Sequence, residues 1–191
     1  KKTTLKLFLT IILGTFIQCV NGQIISSETI KKDVTTFMTD PSSPDYWQTL
    51  KTVFEADESK LTDQQYYLLY YGQGAKPEKL YPSLFLNTDR LKLMDLTNRK
   101  KFKKAIPLGE SLIKINPLDI STLIYLSMSI DMNSGDKDNK YYQRMKKLIS
   151  AILKTGDGKT SATAIKIANI EDDTAMIGFT GFHGTSKHDE Q

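Results

Sequence analysis

Tyr66, Tyr67, Tyr70 and Tyr71 fall within six residues and carry the strongest chemical signal in the sequence, with Tyr81 close behind. Their spacing makes two aromatic pairs at i,i+4 on neighbouring strips of one helix. Such rings could line a cleft for a protein, peptide or sugar partner, because a phenol offers an apolar face and a hydroxyl together. The structural alternative has one strip packing on the core while the other covers the following loop. Both readings stand at this point, and these five tyrosines are the candidate partner-binding residues.

Acid–base chemistry has two candidate sources. Glu55, Asp57 and Glu58, or Glu171, Asp172 and Asp173, could pair for carboxylate-dependent hydrolysis of a peptide or glycan. Local acidic clusters more commonly mark exposed turns, and no fixed geometry assigns an acid and a base. His183 and His188 both fall in a polar tail, so neither a Ser-His-Asp arrangement nor a histidine-rich metal site assembles easily in the core. Gly158-Lys159-Thr160 ends like a phosphate loop, but Leu153 stands where the motif needs its first glycine. Asp131, Asn133, Asp136 and Asp138 break the calcium-loop frame, with Asp136 at the glycine position and Tyr142 at the glutamate position. No metal and no cofactor is expected.

The densest charge run is Arg99, Lys100, Lys101, Lys103 and Lys104. At a helix entrance these charges oppose the macrodipole, which acidic neighbours or an anionic partner would offset. A solvated helix face is the simpler reading. No aromatic platform interleaves the run, so nucleic acid is not an expected partner.

The elements that must position these groups read as amphipathic helices. Ser26 or Ser27 can cap a helix carrying Ile30, Val34, Phe37 and Met38, broken by Asp40-Pro41-Ser42-Ser43-Pro44. Pro44 suits the first turn of the next helix, on which Trp47, Leu50 and Phe54 share a face. Thr62 and Gln65 form a capping-box pattern for the tyrosine helix, which Gly72 and Gly74 are expected to stop. A loop over 73–82 leads to a fourth helix from Leu84 to Asn98.

Phe102, Ala105, Leu112 and Pro117 fall at the spacing of the second helix of a tetratricopeptide repeat, and this segment resembles that repeat despite Pro107 inside it. A helix from Leu118 to Asn133, a turn at Ser134-Gly135-Asp136 and a helix from Tyr141 to Lys154 continue the unit. One and a half degenerate repeats result, short of a true solenoid. Past Gly156-Asp157-Gly158 the period changes. Ile165 and Ile167 alternate with Lys166 and Ala168, Glu171-Asp172-Asp173 can turn, and Ala175 to Phe179 makes a second apolar run. The expected ending is a β-hairpin packed on the helices, with a strand followed by a short helix as the alternative. The fold class expected is therefore α+β, predominantly helical, with tetratricopeptide-like hairpins before a C-terminal β-hairpin.

Lys1, Lys2 and Lys6, the apolar run Leu7 to Ile17 and the exit Val20-Asn21-Gly22 have the form of an export signal, over residues 1–22. That run is too short to span a bilayer, so no transmembrane helix is expected. Lipidation at Cys19 is the competing reading, weakened by Gln18 before it. One domain is expected over 23–182, and a frayed tail over 183–191. Without the signal the net charge falls from +4 to about +1 and the single cysteine is lost, which removes disulfides and thiol chemistry.

Three stretches together resemble the exported bacterial proteins of domain-of-unknown-function family 4919. They are Tyr66-Tyr67-Leu68-Leu69-Tyr70-Tyr71-Gly72, Lys104-Ala105 to Asn116-Pro117, and Leu153 to Ile170 around Ser161-Ala162-Thr163-Ala164-Ile165. The resemblance supplies no reaction. The expected function is a non-enzymatic, periplasmic or secreted module that binds a protein, peptide or envelope component, with the carboxylate-dependent hydrolase as the alternative.

Overall fold

Ser26 caps the first helix, α1 (Ser27–Thr39), by accepting the Thr29 N–H at 3.1 Å, and Val34, Phe37 and Met38 face inward. The structure, a computed structural model, describes residues 24–84 and 87–180. The export signal with Cys19 and the tail with His183 and His188 lie outside those residues. Pro44 sits in the turn before α2 (Trp47–Asp57), not in its first turn, and Leu50 and Phe54 are that helix's buried residues. A single 3-10 turn, Glu58–Lys60, leads toward α3 (Asp63–Ala75).

The capping box of α3 forms as the sequence implies. Gln65 N–H donates to Thr62 Oγ1 at 3.3 Å, and the Gln65 side chain accepts the Thr62 N–H at 3.0 Å, an arrangement worth about 1 kcal/mol. The helix then runs through Gly72 and Gly74 to Ala75 instead of stopping at them. Both glycines serve close approach. A Cβ on Gly72 would collide with the Phe37 ring, and one on Gly74 would lie 2.7 Å from the Ala168 Cβ.

Two helical hairpins follow: α4 (Thr88–Asn98) with α5 (Phe102–Ile115), and α6 (Ile120–Ser134) with α7 (Lys140–Leu153). Asn87, Asp119 and Asn139 cap α4, α6 and α7 with their side chains. α5 passes through Pro107, whose missing N–H forfeits one internal hydrogen bond without ending the helix. Gly135, at φ 77°, closes α6 in the left-handed conformation that glycine adopts at no cost.

α4 packs on α5 and α6, α5 on α6, α6 on α7, and α7 on α3, which also carries α1 and α2. Arg90 meets Asp119 and Thr97 meets Ser129, so α4 and α6 run parallel and the α4–α5 and α6–α7 turns share one end of the stack. Ala105 is fully buried, the small residue that the repeat spacing asks for. Gly109 gives α5 a second close approach, since a Cβ there would lie 3.0 Å from the Leu126 side chain. A large core joins α1, α2, α3, α6 and α7, and a smaller one of Leu84, Leu93, Ala105 and Leu112 lies beneath α4 and α5.

The β-hairpin is absent, and with it the α+β class: among the described residues every regular element is helical. Residues 164–167 run extended, followed by a helix, α8 (Glu171–Thr180), where the second strand was expected. Side chains take the place of a sheet partner. Lys166 N–H donates to Thr155 Oγ1 at 2.9 Å, Ala168 N–H donates to the Tyr70 hydroxyl at 3.1 Å, and Tyr71 donates to the Lys166 carbonyl at 2.7 Å. Alternation at Ile165 and Ile167 therefore reports a half-buried extended segment, and its backbone is satisfied by α3 and the end of α7.

Candidate functional site

The five tyrosines of the candidate site lie inside the protein. Tyr66, Tyr67, Tyr70, Tyr71 and Tyr81 are all buried, and from Tyr66 to Gln73 α3 is covered by α1, α2, α7 and the 164–176 segment, with its first turn left exposed at Asp63. Their rings pack on one another and on Phe54: Tyr70 meets Tyr71 edge-on with centroids 4.9 Å apart, and Phe54 meets Tyr66 in the same way at 6.0 Å. This is the core alternative for the cluster.

Each hydroxyl reaches a partner on another element. Tyr66 donates to Glu58 at 3.0 Å, Tyr67 to Asp33 at 3.2 Å, Tyr70 to Asp172 at 2.8 Å and Tyr81 to Glu55 at 3.3 Å. Tyr71, bonded to the Lys166 carbonyl, is the exception in having a backbone acceptor. A phenol suits this task, since its ring fills core volume and its oxygen satisfies a carboxylate at the periphery. Burial pushes all five hydroxyls upward in pKa, and the neighbouring carboxylates add to the shift at Tyr66, Tyr67, Tyr70 and Tyr81. Tyr71 rises to about 12, again through burial first, with Thr155 opposing it.

Of the carboxylates offered for catalysis, Glu55, Asp57, Glu58 and Asp172 are engaged separately, and the side chain of Glu171 lies outside the described residues. Glu58 takes a two-point contact from Arg144, Nε to Oε2 at 2.6 Å and Nη2 to Oε1 at 2.8 Å, in addition to the Tyr66 proton. Asp57 accepts the Ser59 hydroxyl proton at 2.6 Å and caps the 3-10 turn by accepting the Ser59 N–H at 3.1 Å, and these two bonds, the hydroxyl first, hold its carboxyl below the usual range. Asp172 is buried on Tyr70, whereas Asp173 is exposed. Among the described residues no group of three or more His, Cys, Asp or Glu could hold a metal ion.

Arg144 was not legible as a functional group. It closes the corner between α2 and α7, with its guanidinium 5.1 Å from the Phe54 ring centroid, while Lys147 on the next turn lies 4.8 Å over Tyr66 and donates to the Leu61 carbonyl at 3.4 Å. Beside this corner Asp63, Gln143, Lys146, Lys147 and Ser150 line a shallow, open depression of about 210 Å³. Four of these residues form a polar stripe at i, i+3, i+4 and i+7 on α7, opposite buried Met145, Leu148, Ile149 and Ile152. Helical period alone would have found that stripe.

The basic run forms the exposed α4–α5 turn and the first turn of α5. No described helix is long and apolar enough to cross a membrane. In comparisons with known proteins, a family described as a domain of unknown function, DUF4919, matches residues 28–189. No curated protein and no solved structure matches.

Proposed function

The chain belongs to the DUF4919 family, and from that premise we propose that it is an exported, non-enzymatic module that binds a protein or peptide through the face shared by α3 and α7. The observation that carries this reading is the open depression lined by Asp63, Gln143, Lys146, Lys147 and Ser150. Its volume is below the roughly 300–1,000 Å³ of sites that enclose small ligands, and its openness suits an extended chain or a second protein surface. Lys146, Lys147 and Gln143 supply donors and Asp63 an acceptor, so the partner would present carboxylates and backbone amides. The tyrosines support this face from beneath, Tyr66 lying under Lys147. Glu55, Glu58 and Asp172 each hold a tyrosine, which favours binding over hydrolysis as the role of the domain.

The test uses the wild-type chain and a Lys146→Glu, Ser150→Arg variant as baits for envelope fractions, with captured proteins identified by mass spectrometry. The reading expects one specific protein on the wild type that the variant loses while unfolding at the same temperature. Equal capture by both chains, or turnover of a defined glycan or peptide by the wild type, would overturn it.

A further inference from the structure

Four lysines of this protein, among the described residues, form salt bridges, each with a carboxylate within four residues of it in sequence. Lys51 pairs with Glu55, Lys60 with Asp57, Lys92 with Asp89 and Lys159 with Asp157. Exposed lysines without such a partner occur elsewhere singly or as one pair, and the α4–α5 turn holds the longest run of them. Arg99 pairs with Asp95 at 2.8 Å, but Lys100, Lys101, Lys103 and Lys104 are exposed and no ion pair forms at any of them. They lie at one tip of the stack, in the α4–α5 turn and the first turn of α5. The adjoining α6–α7 turn carries Asp136 and Asp138 alongside Lys137 and Lys140, so it adds no net charge to this end of the stack.

Local stability at this tip is set against the charges. α5 has no acidic residue in its first turn and no side-chain cap at Lys101, so four cationic groups face the positive end of its dipole. Lys100 occupies the left-handed region at φ 59°, where glycine would be unstrained. Both features cost folding stability, and an external anion would offset the first.

We propose that the α4–α5 tip docks the protein on an anionic phospholipid surface through Lys100, Lys101, Lys103 and Lys104. Charge complementarity selects this occupant. A bilayer presents many negative headgroups in one plane, and each lysine near such a surface adds to the attraction. A nucleic-acid strand would instead call for a groove to track its backbone and exposed rings for its bases. Here Phe102 is the one ring in the run, and it is partly buried. This surface is distinct from the α3–α7 face and does not depend on it.

The experiment is sedimentation of the full chain with phosphatidylcholine vesicles containing about 30 mol % phosphatidylglycerol, in low salt and in about 0.5 M salt. The comparison chain carries Lys103→Glu and Lys104→Glu, changes that suit the start of α5 and should hold or raise its thermal midpoint. The proposal expects binding that needs phosphatidylglycerol, is lost in salt, and weakens about tenfold or more in the variant. Vesicle binding that survives salt or the double substitution would overturn it, and so would tight oligonucleotide binding without vesicle binding. A neutral Lys103→Gln, Lys104→Gln chain, expected to fall between the two, guards against misfolding as the cause.

Discussion

Tyr70 donates its hydroxyl proton to Asp172 at 2.8 Å across 102 positions of sequence, and both residues are buried. The same oxygen accepts the Ala168 N–H at 3.1 Å, so one phenol on α3 fastens both the extended segment and the start of α8. Tyr70→Phe removes both bonds, so the buried Asp172 carboxylate loses its shortest hydrogen bond, keeping the longer one from Asn169, and the partly buried Ala168 amide loses its acceptor. A loss of about 2–3 kcal/mol is expected in denaturant unfolding. Hydrogen exchange should speed first in 164–176, and uniform loss of protection over all helices would contradict the local role.

The approach of α3 to α1 rests on Gly72. Gly72→Ala drives a methyl into the Phe37 ring, which is buried and has no room to yield. Overpacking of this kind costs about 1–3 kcal/mol. Adding Phe37→Leu should recover part of the loss, giving a coupling measurable in a double-mutant cycle. Additive losses would show that the two side chains do not share that space.

Alkaline stability follows from the buried phenols. Unfolded tyrosines ionise near 10.0, whereas Tyr71 keeps its proton to about 12 and its four neighbours are also raised. Above pH 10.0 the unfolded chain therefore binds fewer protons than the folded one, and stability falls as pH rises. The contribution of Tyr71 is complete below pH 10.0 and is lost as the pH passes through about 12. Denaturant midpoints measured across that window should decline, with a shallower decline for Tyr71→Phe. A flat profile would mean that the phenols ionise equally in both states.

Lys100 closes α4 in a Schellman turn: Lys101 N–H donates to the Leu96 carbonyl at 2.8 Å and Lys100 N–H to the Thr97 carbonyl at 2.9 Å. The position between them requires the left-handed conformation, which costs a side-chain-bearing residue about 1–2 kcal/mol. Lys100→Gly recovers that cost less the entropy glycine loses on folding, for a net gain of about 0.5–1 kcal/mol. Thermal unfolding would reveal it as a raised midpoint. A lowered midpoint would show that the lysine side chain contributes more than the strain removes.

Several helices were legible because they combine a cap with a 3.6-residue apolar period, as Ser26 with Val34 and Phe37, or Thr62 and Gln65 ahead of the tyrosines. The ending was not, because Ile165 and Ile167 alternate as a strand would while the backbone of Lys166 between them bonds to the side chains of Tyr71 and Thr155, which are no part of a sheet. Gly72 and Gly74 misled in a related way. Glycine reads locally as a helix stop, but here it answers to Phe37 and Ala168. At the candidate site the tyrosines announced themselves by spacing, whereas the partners Asp33, Arg144 and Asp172 come from three other elements. No local pattern joins those residues.

The central claim is that the tyrosine cluster is spent on the fold, its rings in the core and its oxygens on Asp33, Glu55, Glu58, Asp172 and Lys166. Nitration of the folded protein, mapped by mass spectrometry, tests this most directly, because the reagent must reach the phenol ring. The account predicts modification at partly exposed Tyr46 and Tyr142 while Tyr66, Tyr67, Tyr70, Tyr71 and Tyr81 stay unmodified until the protein unfolds. Nitration of Tyr67 or Tyr71 as fast as Tyr46, with the helices intact by circular dichroism, would contradict it.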